Sequence, residues 1–139
     1  SAMLLGLAGA GVDGSAGSHY SQIEGTCVTC HTGEALSHTF EAKLESCQAC
    51  HSGAESFDIN GLQTEVQTAL DELEAELISR GLLDEEGHPA VATVPEGEAI
   101  ALWNWIYIAH EDGSLGVHNP GYTTALLDES FAALSGEGS

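Results

Sequence analysis

The stretch CVTCHTG begins at Cys27 and CQACHSG begins at Cys47, so one seven-residue shape, Cys-x-x-Cys-His-x-Gly, occurs twice in a short span. The chain has 4 cysteines, and these motifs use all of them. What they hold therefore decides how this part of the chain folds. A disulfide framework is a poor fit, because a Cys-x-x-Cys ring is too small to stabilise much. A structural zinc site fits better: Cys27, Cys30, Cys47 and Cys50 carry the spacing of a zinc ribbon. That site leaves His31 and His51 without a task. Covalent haem c uses all six residues. Two thiols three positions apart on a helical turn can each add to one vinyl group of the macrocycle, and the next residue, a histidine, then lies under the iron as proximal ligand. Two haem c groups are expected, one on Cys27, Cys30 and His31 and one on Cys47, Cys50 and His51. Each would add a large apolar plate to the core, so residues 25 to 56 need little regular structure of their own.

The second face of each iron separates carriers from enzymes. A side chain there makes an electron carrier, and an open face allows a small molecule to bind. Met3 is the one methionine, and five histidines lie outside the motifs: His19, His38, His88, His110 and His118. His88 sits in the turn DEEGHPA and reads as a solvated loop residue. His110 ends an apolar helix in YIAHEDG, where the helix dipole favours a capping role. That leaves His19, His38 and His118 for two irons, and bis-His ligation at both is the expectation.

From Gly61 onward the pattern is helical. Leu62, Val66, Leu70, Leu73 and Leu77 form one face of an amphipathic helix, with Asp58 or Asn60 as its cap and Gly81 as its stop. EGEAIALWNWIYIAHEDG predicts a second helix, apolar nearly all round and hence buried. A third starts at Asn119 as N-cap with Pro120 in the first position and ends at Gly136. Its buried side would be Leu126, Leu127, Phe131 and Leu134. Strand signals are nearly absent. The predicted fold is all-α, a haem-binding loop region on about three helices, with a flexible glycine-rich segment over 1–17 and one domain over 18–139.

Charge narrows the partners. Asp and Glu number 22 against 2 Lys and Arg, for a net charge of -20. Such a surface repels nucleic acid and anionic membranes. The apolar run MLLGLAGAGV is far shorter than the roughly 20 residues of a membrane span. It reads either as the remnant of an export signal or as an N-terminus that packs on something.

The two motifs, the SHTF between them and the later block WNW…EDGSLGVHNPGYTTALL resemble the C-terminal part of multihaem c-type cytochromes. That group includes the pentahaem ammonia-forming nitrite reductases and their octahaem relatives. The resemblance spans about residues 18 to 135. It implies that His118 is the distal ligand of the His31 haem and His19 that of the His51 haem. It also implies that His38 reaches back to an earlier haem, yet no third motif precedes it here. His38 is then spare, or displaces His19, or ligates a haem of a neighbouring chain. The catalytic haem of the nitrite reductases has a Lys in place of the motif histidine. Both motifs here end in His, so that enzymatic site does not carry over.

These readings lead to electron transfer outside the cytoplasm, periplasmic or extracellular, where haem c is attached. The partners would be redox proteins or neighbouring copies of the chain polymerised into a haem wire. A small haem enzyme acting on nitrogen oxides or peroxide, with one open iron, is the rival. A colourless zinc module is the third class.

Overall fold

The computed structural model describes residues 2–31 and 41–136. Helix makes up 54% of the described residues and strand 2%, with an isolated bridge between Leu83 and Pro89, so the all-α expectation holds. Three short helices come first: α1 (Ser18–Gln22), α2 (Cys27–His31) and α3 (Leu44–Gln48). Three longer ones follow: α4 (Leu62–Ser79), α5 (Glu96–Ile106) and α6 (Pro120–Leu134).

The long helices form where the apolar spacing predicts them. α4 buries Val66, Leu70, Leu73 and Leu77 on one face, the i, i+3, i+4 stripe that must leave water. The Asp58 carboxylate accepts from the Thr64 amide at 3.2 Å near its start, and Gly81, at φ +75°, turns the chain out at its end. α5 packs most extensively on α6, and α4 lies against both. Leu102, Trp105, Ile108, Leu126, Leu127 and Leu134 complete the core, each burial stabilising by about 1.5–3 kcal/mol. The Trp105 indole N–H donates to the Leu70 carbonyl at 3.2 Å, so even its polar edge is satisfied. α5 is not buried all round, however. Trp103 stays 42% exposed, stacked on Tyr107 at 5.9 Å.

The glycine content of residues 1–17 favours a loose segment, but part of residues 2–17 is anchored to the helices by burial and hydrogen bonds. Met3 and Leu4 are buried, and Asn104 and Asn119 hold the strap. The Asn104 side chain accepts from the Ala10 amide at 2.7 Å and donates to the Ala10 carbonyl at 3.0 Å. The Asn119 amide group donates to the carbonyls of Met3 and Ser15. Polar side chains inside the helical layer substitute for a strand partner, a device that periodicity does not reveal.

One irregularity positions the site. Beyond Ile106 the helix widens into a π-turn (Tyr107–Asp112) and stops at Gly113 in the left-handed region. Such widened turns recur at functional sites. A tight loop then runs from Ser114 to Asn119. Gly116, at φ +94°, lies so close to Val66 and Leu62 that an added Cβ would sit 3.1 Å from Val66 Cγ2. Asn119 caps α6 by accepting from the Tyr122 amide at 3.3 Å, with Pro120 following as predicted. His118 is thus fixed in the backbone between a packed glycine and a helix cap.

Candidate metal centre

The short helices carry Cys27, Cys30 and Cys47, and Cys50 lies in the turn after α3. Cys27, Cys30 and His31 lie on α2, where i and i+3 side chains share a face. Cys47 opens its motif with a helical turn: the amides of Cys50 and His51 both donate to its carbonyl, at 3.1 and 2.7 Å. The two segments touch. The Ser46 hydroxyl donates to the Thr29 carbonyl at 3.2 Å, and the Lys43 amide reaches the Cys30 carbonyl at 3.4 Å. All four cysteines are free thiols. Burial pushes the Cys30 thiol up, and the neighbouring Cys47, Cys27 and Cys50 sulfurs add to it.

The histidines are arranged in two pairs. His31 faces His118, with ring centres 6.3 Å apart and planes at 54°. His19, on α1, faces His51 at 6.5 Å and 81°. An imidazole nitrogen lies about 2 Å from a bound metal ion, and the ring centre about 1.2 Å behind it. Two rings on opposite sides of one iron therefore stand roughly 6.4 Å apart. Both pairs match that separation, and each joins one motif histidine to one histidine from outside the motifs.

Each outer histidine also has its ring turned by a partner. His118 Nδ1 lies 2.7 Å from Asp112 Oδ1, and His19 Nδ1 lies 2.5 Å from the Val117 carbonyl oxygen. An ionised carboxylate and a carbonyl only accept, so both Nδ1 atoms donate, and these contacts leave both Nε2 atoms unengaged. That is the arrangement of a metal-ligating histidine. The Asp112 side chain is wholly shielded from solvent. Burial pushes its carboxyl up, but hydrogen bonds from His118 and Ser114 outweigh it and hold the group below the usual carboxylate range. One member of each pair borders open space: His51 lines a cavity of about 480 Å³, and His118 one of about 350 Å³ with Met3 and Tyr107. The residues present thus fit a flat macrocycle held by two thiols and two imidazoles at each pair.

The four thiols are not gathered as tightly as a zinc tetrahedron requires. Four thiolates on one tetrahedral ion would lie roughly 3.8 Å from one another. Among the described residues, the only set of three or more ligand atoms within 4.8 Å of one another is Asp84, Glu86 and His88. That cluster is an exposed turn, in which Asp84 accepts from the backbone of Glu86 and His88.

The remaining candidates fall away from the pairs. His88 is exposed, and His110 sets its ring edge against Trp105 at 5.1 Å. Met3 is in the core, its sulfur accepting from the Thr123 hydroxyl at 3.6 Å. His38 lies outside the described residues. The sequence reading missed Asp112 and Ser114. The signal was there in EDGS, a carboxylate six residues before His118, but it reads as an ordinary helix end.

No family model, curated protein or solved structure matches this chain. The geometry of the paired histidines must carry the functional reading.

Proposed function

We propose that the chain is a dihaem c-type cytochrome that transfers electrons between two low-spin, bis-His centres. Cys27 and Cys30 would bind one haem and Cys47 and Cys50 the other, each thiol adding its S–H across a vinyl double bond. His31 and His118 would be the axial ligands of the first, and His51 and His19 those of the second. When bound, the haems supply one-electron chemistry. The chain orients the His19 and His118 imidazoles through their Nδ1 atoms and holds the two motifs in contact. The observation that carries this reading is the pairing of each motif histidine with a second imidazole at the axial separation.

The resemblance to multihaem cytochromes belongs to the same reading, as does a site of action outside the cytoplasm. Among the described residues no helix is long and apolar enough to cross a membrane. The net charge of -20 fits a basic redox partner better than a second copy of the chain, because like-charged copies repel unless cations screen them. A polymeric haem wire would need that screening.

The test is the visible spectrum of the purified protein, oxidised, then reduced, then exposed to carbon monoxide. Two haems per chain with sharp reduced bands that carbon monoxide leaves in place are expected. A shift in half the signal would overturn the carrier reading in favour of an enzyme with one open iron. A colourless protein would overturn haem binding.

A further inference from the structure

The two outer histidines have different partners. His118 donates to a buried carboxylate and His19 to a neutral carbonyl. We propose that Asp112 is a positioning residue that sets the reduction potential of the His31–His118 centre below that of the His19–His51 centre. The inference rests on the dihaem reading.

Three observations support it. First, the hydrogen bond is short and its acceptor is shielded. Asp112 Oδ1 stands 2.7 Å from His118 Nδ1, and the carboxylate has no solvent exposure. In that setting a charge acts with little screening. Second, a carboxylate draws the Nδ1 proton more strongly than a carbonyl does. Nε2 becomes the stronger donor, and a stronger donor with a negative charge behind it favours ferric over ferrous iron. Third, the orientation is enforced. Asp112 Oδ2 accepts from the Ser114 amide at 3.1 Å and from its hydroxyl at 2.8 Å, so Oδ1 is left to His118. The Ser114 hydroxyl in turn accepts from the His118 amide at 3.1 Å. Residues 112, 114 and 118 form one closed unit, and His19 has nothing equivalent.

The two sites also differ in exposure. His51 is exposed, whereas His31 is partly buried. The centre of higher potential is therefore the more accessible one, and electrons would run downhill from the His31 site to the His51 site and leave there.

The experiment is a potentiometric titration of the holoprotein and of Asp112→Asn, followed in the visible. Haem content and carbon monoxide insensitivity are measured first, so a failure of the dihaem reading shows before any potential is taken. The parent protein should titrate in two one-electron waves. Asn keeps the shape and an acceptor oxygen but loses the charge. It should raise the lower wave by a tenfold or larger change in the ferric-to-ferrous preference, about 59 mV for one electron, and move the upper wave less. An unmoved lower wave, or a shift confined to the upper one, would overturn the proposal. Ser114→Ala provides the opposite sign. Without the donor hydroxyl the carboxylate pulls harder on His118, and the lower wave should fall. If Asp112→Asn fails to fold, this second variant decides alone, and an unmoved or rising lower wave rejects the role of Asp112.

Discussion

His31 and His118 face each other with ring centres 6.3 Å apart, although they come from opposite ends of the described chain. Replacing His118 with Ala should leave one iron five-coordinate. About half of the haem should become high-spin and bind carbon monoxide, while the other half is unchanged. His19→Ala should do the same to the other half, and the double variant should convert all of it. Magnetic circular dichroism or carbon monoxide difference spectra read the fractions. A spectrum unchanged in His19→Ala would reassign that ligand, with His38 the next residue to replace.

Gly116 places Val117 and His118 by running against α4. A side chain there meets Val66 and Leu62 and also strains a backbone at φ +94°. Gly116→Ala should destabilise the fold by about 1–3 kcal/mol. It should also perturb both proposed centres together, since Val117 orients His19 and its neighbour His118 is the other proposed ligand. Denaturant midpoints and the low-spin fraction of each haem test the two halves of this expectation.

Asn104 ties three elements at one buried point. It holds both backbone groups of Ala10 and donates to the Ser130 hydroxyl at 3.1 Å. Asn104→Ala should cost about 2–4 kcal/mol, because the partners are left unsatisfied away from water. Limited proteolysis should then cut within residues 2–17 faster than in the parent. Unchanged stability would mean that the strap is held elsewhere.

The Tyr107 hydroxyl donates to the Leu7 carbonyl at 2.8 Å. Burial, then the nearby Tyr122 and Asp112, push its pKa up to about 12. The unfolded value is about 10, so folding favours the protonated phenol. The resulting stability is complete below about pH 10 and is lost as the pH rises from there through about 12. Tyr107→Phe should show a flatter decline over that window in urea melts, at the expense of the hydrogen bond at lower pH.

The long helices and their ends were legible because local rules act on neighbours in sequence. The leucine stripe of α4, the Asn119–Pro120 start of α6 and the stop at Gly81 each follow from residues a few positions apart. The two Cys-x-x-Cys-His motifs were legible for the same reason. Two things were not. The packed strap over residues 2–17 depends on Asn104 and Asn119 reaching across from other elements, and a glycine-rich stretch carries no periodicity to announce it. The Asp112–His118 contact depends on a π-turn that re-aims a carboxylate inward, and EDGS reads the same whether that carboxylate points to water or to a ring.

The Val117 carbonyl and the His19 ring that it orients are 98 positions apart in the chain. Each centre thus has one half near the beginning and depends, directly or through Val117, on the loop before α6. During synthesis, the proximal histidines and all four thiols emerge long before that loop exists. On the dihaem reading, a truncated chain lacking that loop would still offer its thiols to haem but would not complete the proposed axial sets. The finished low-spin colour would then report that the whole chain has been made and folded, a built-in signature of completeness that a quality-control assay could read directly.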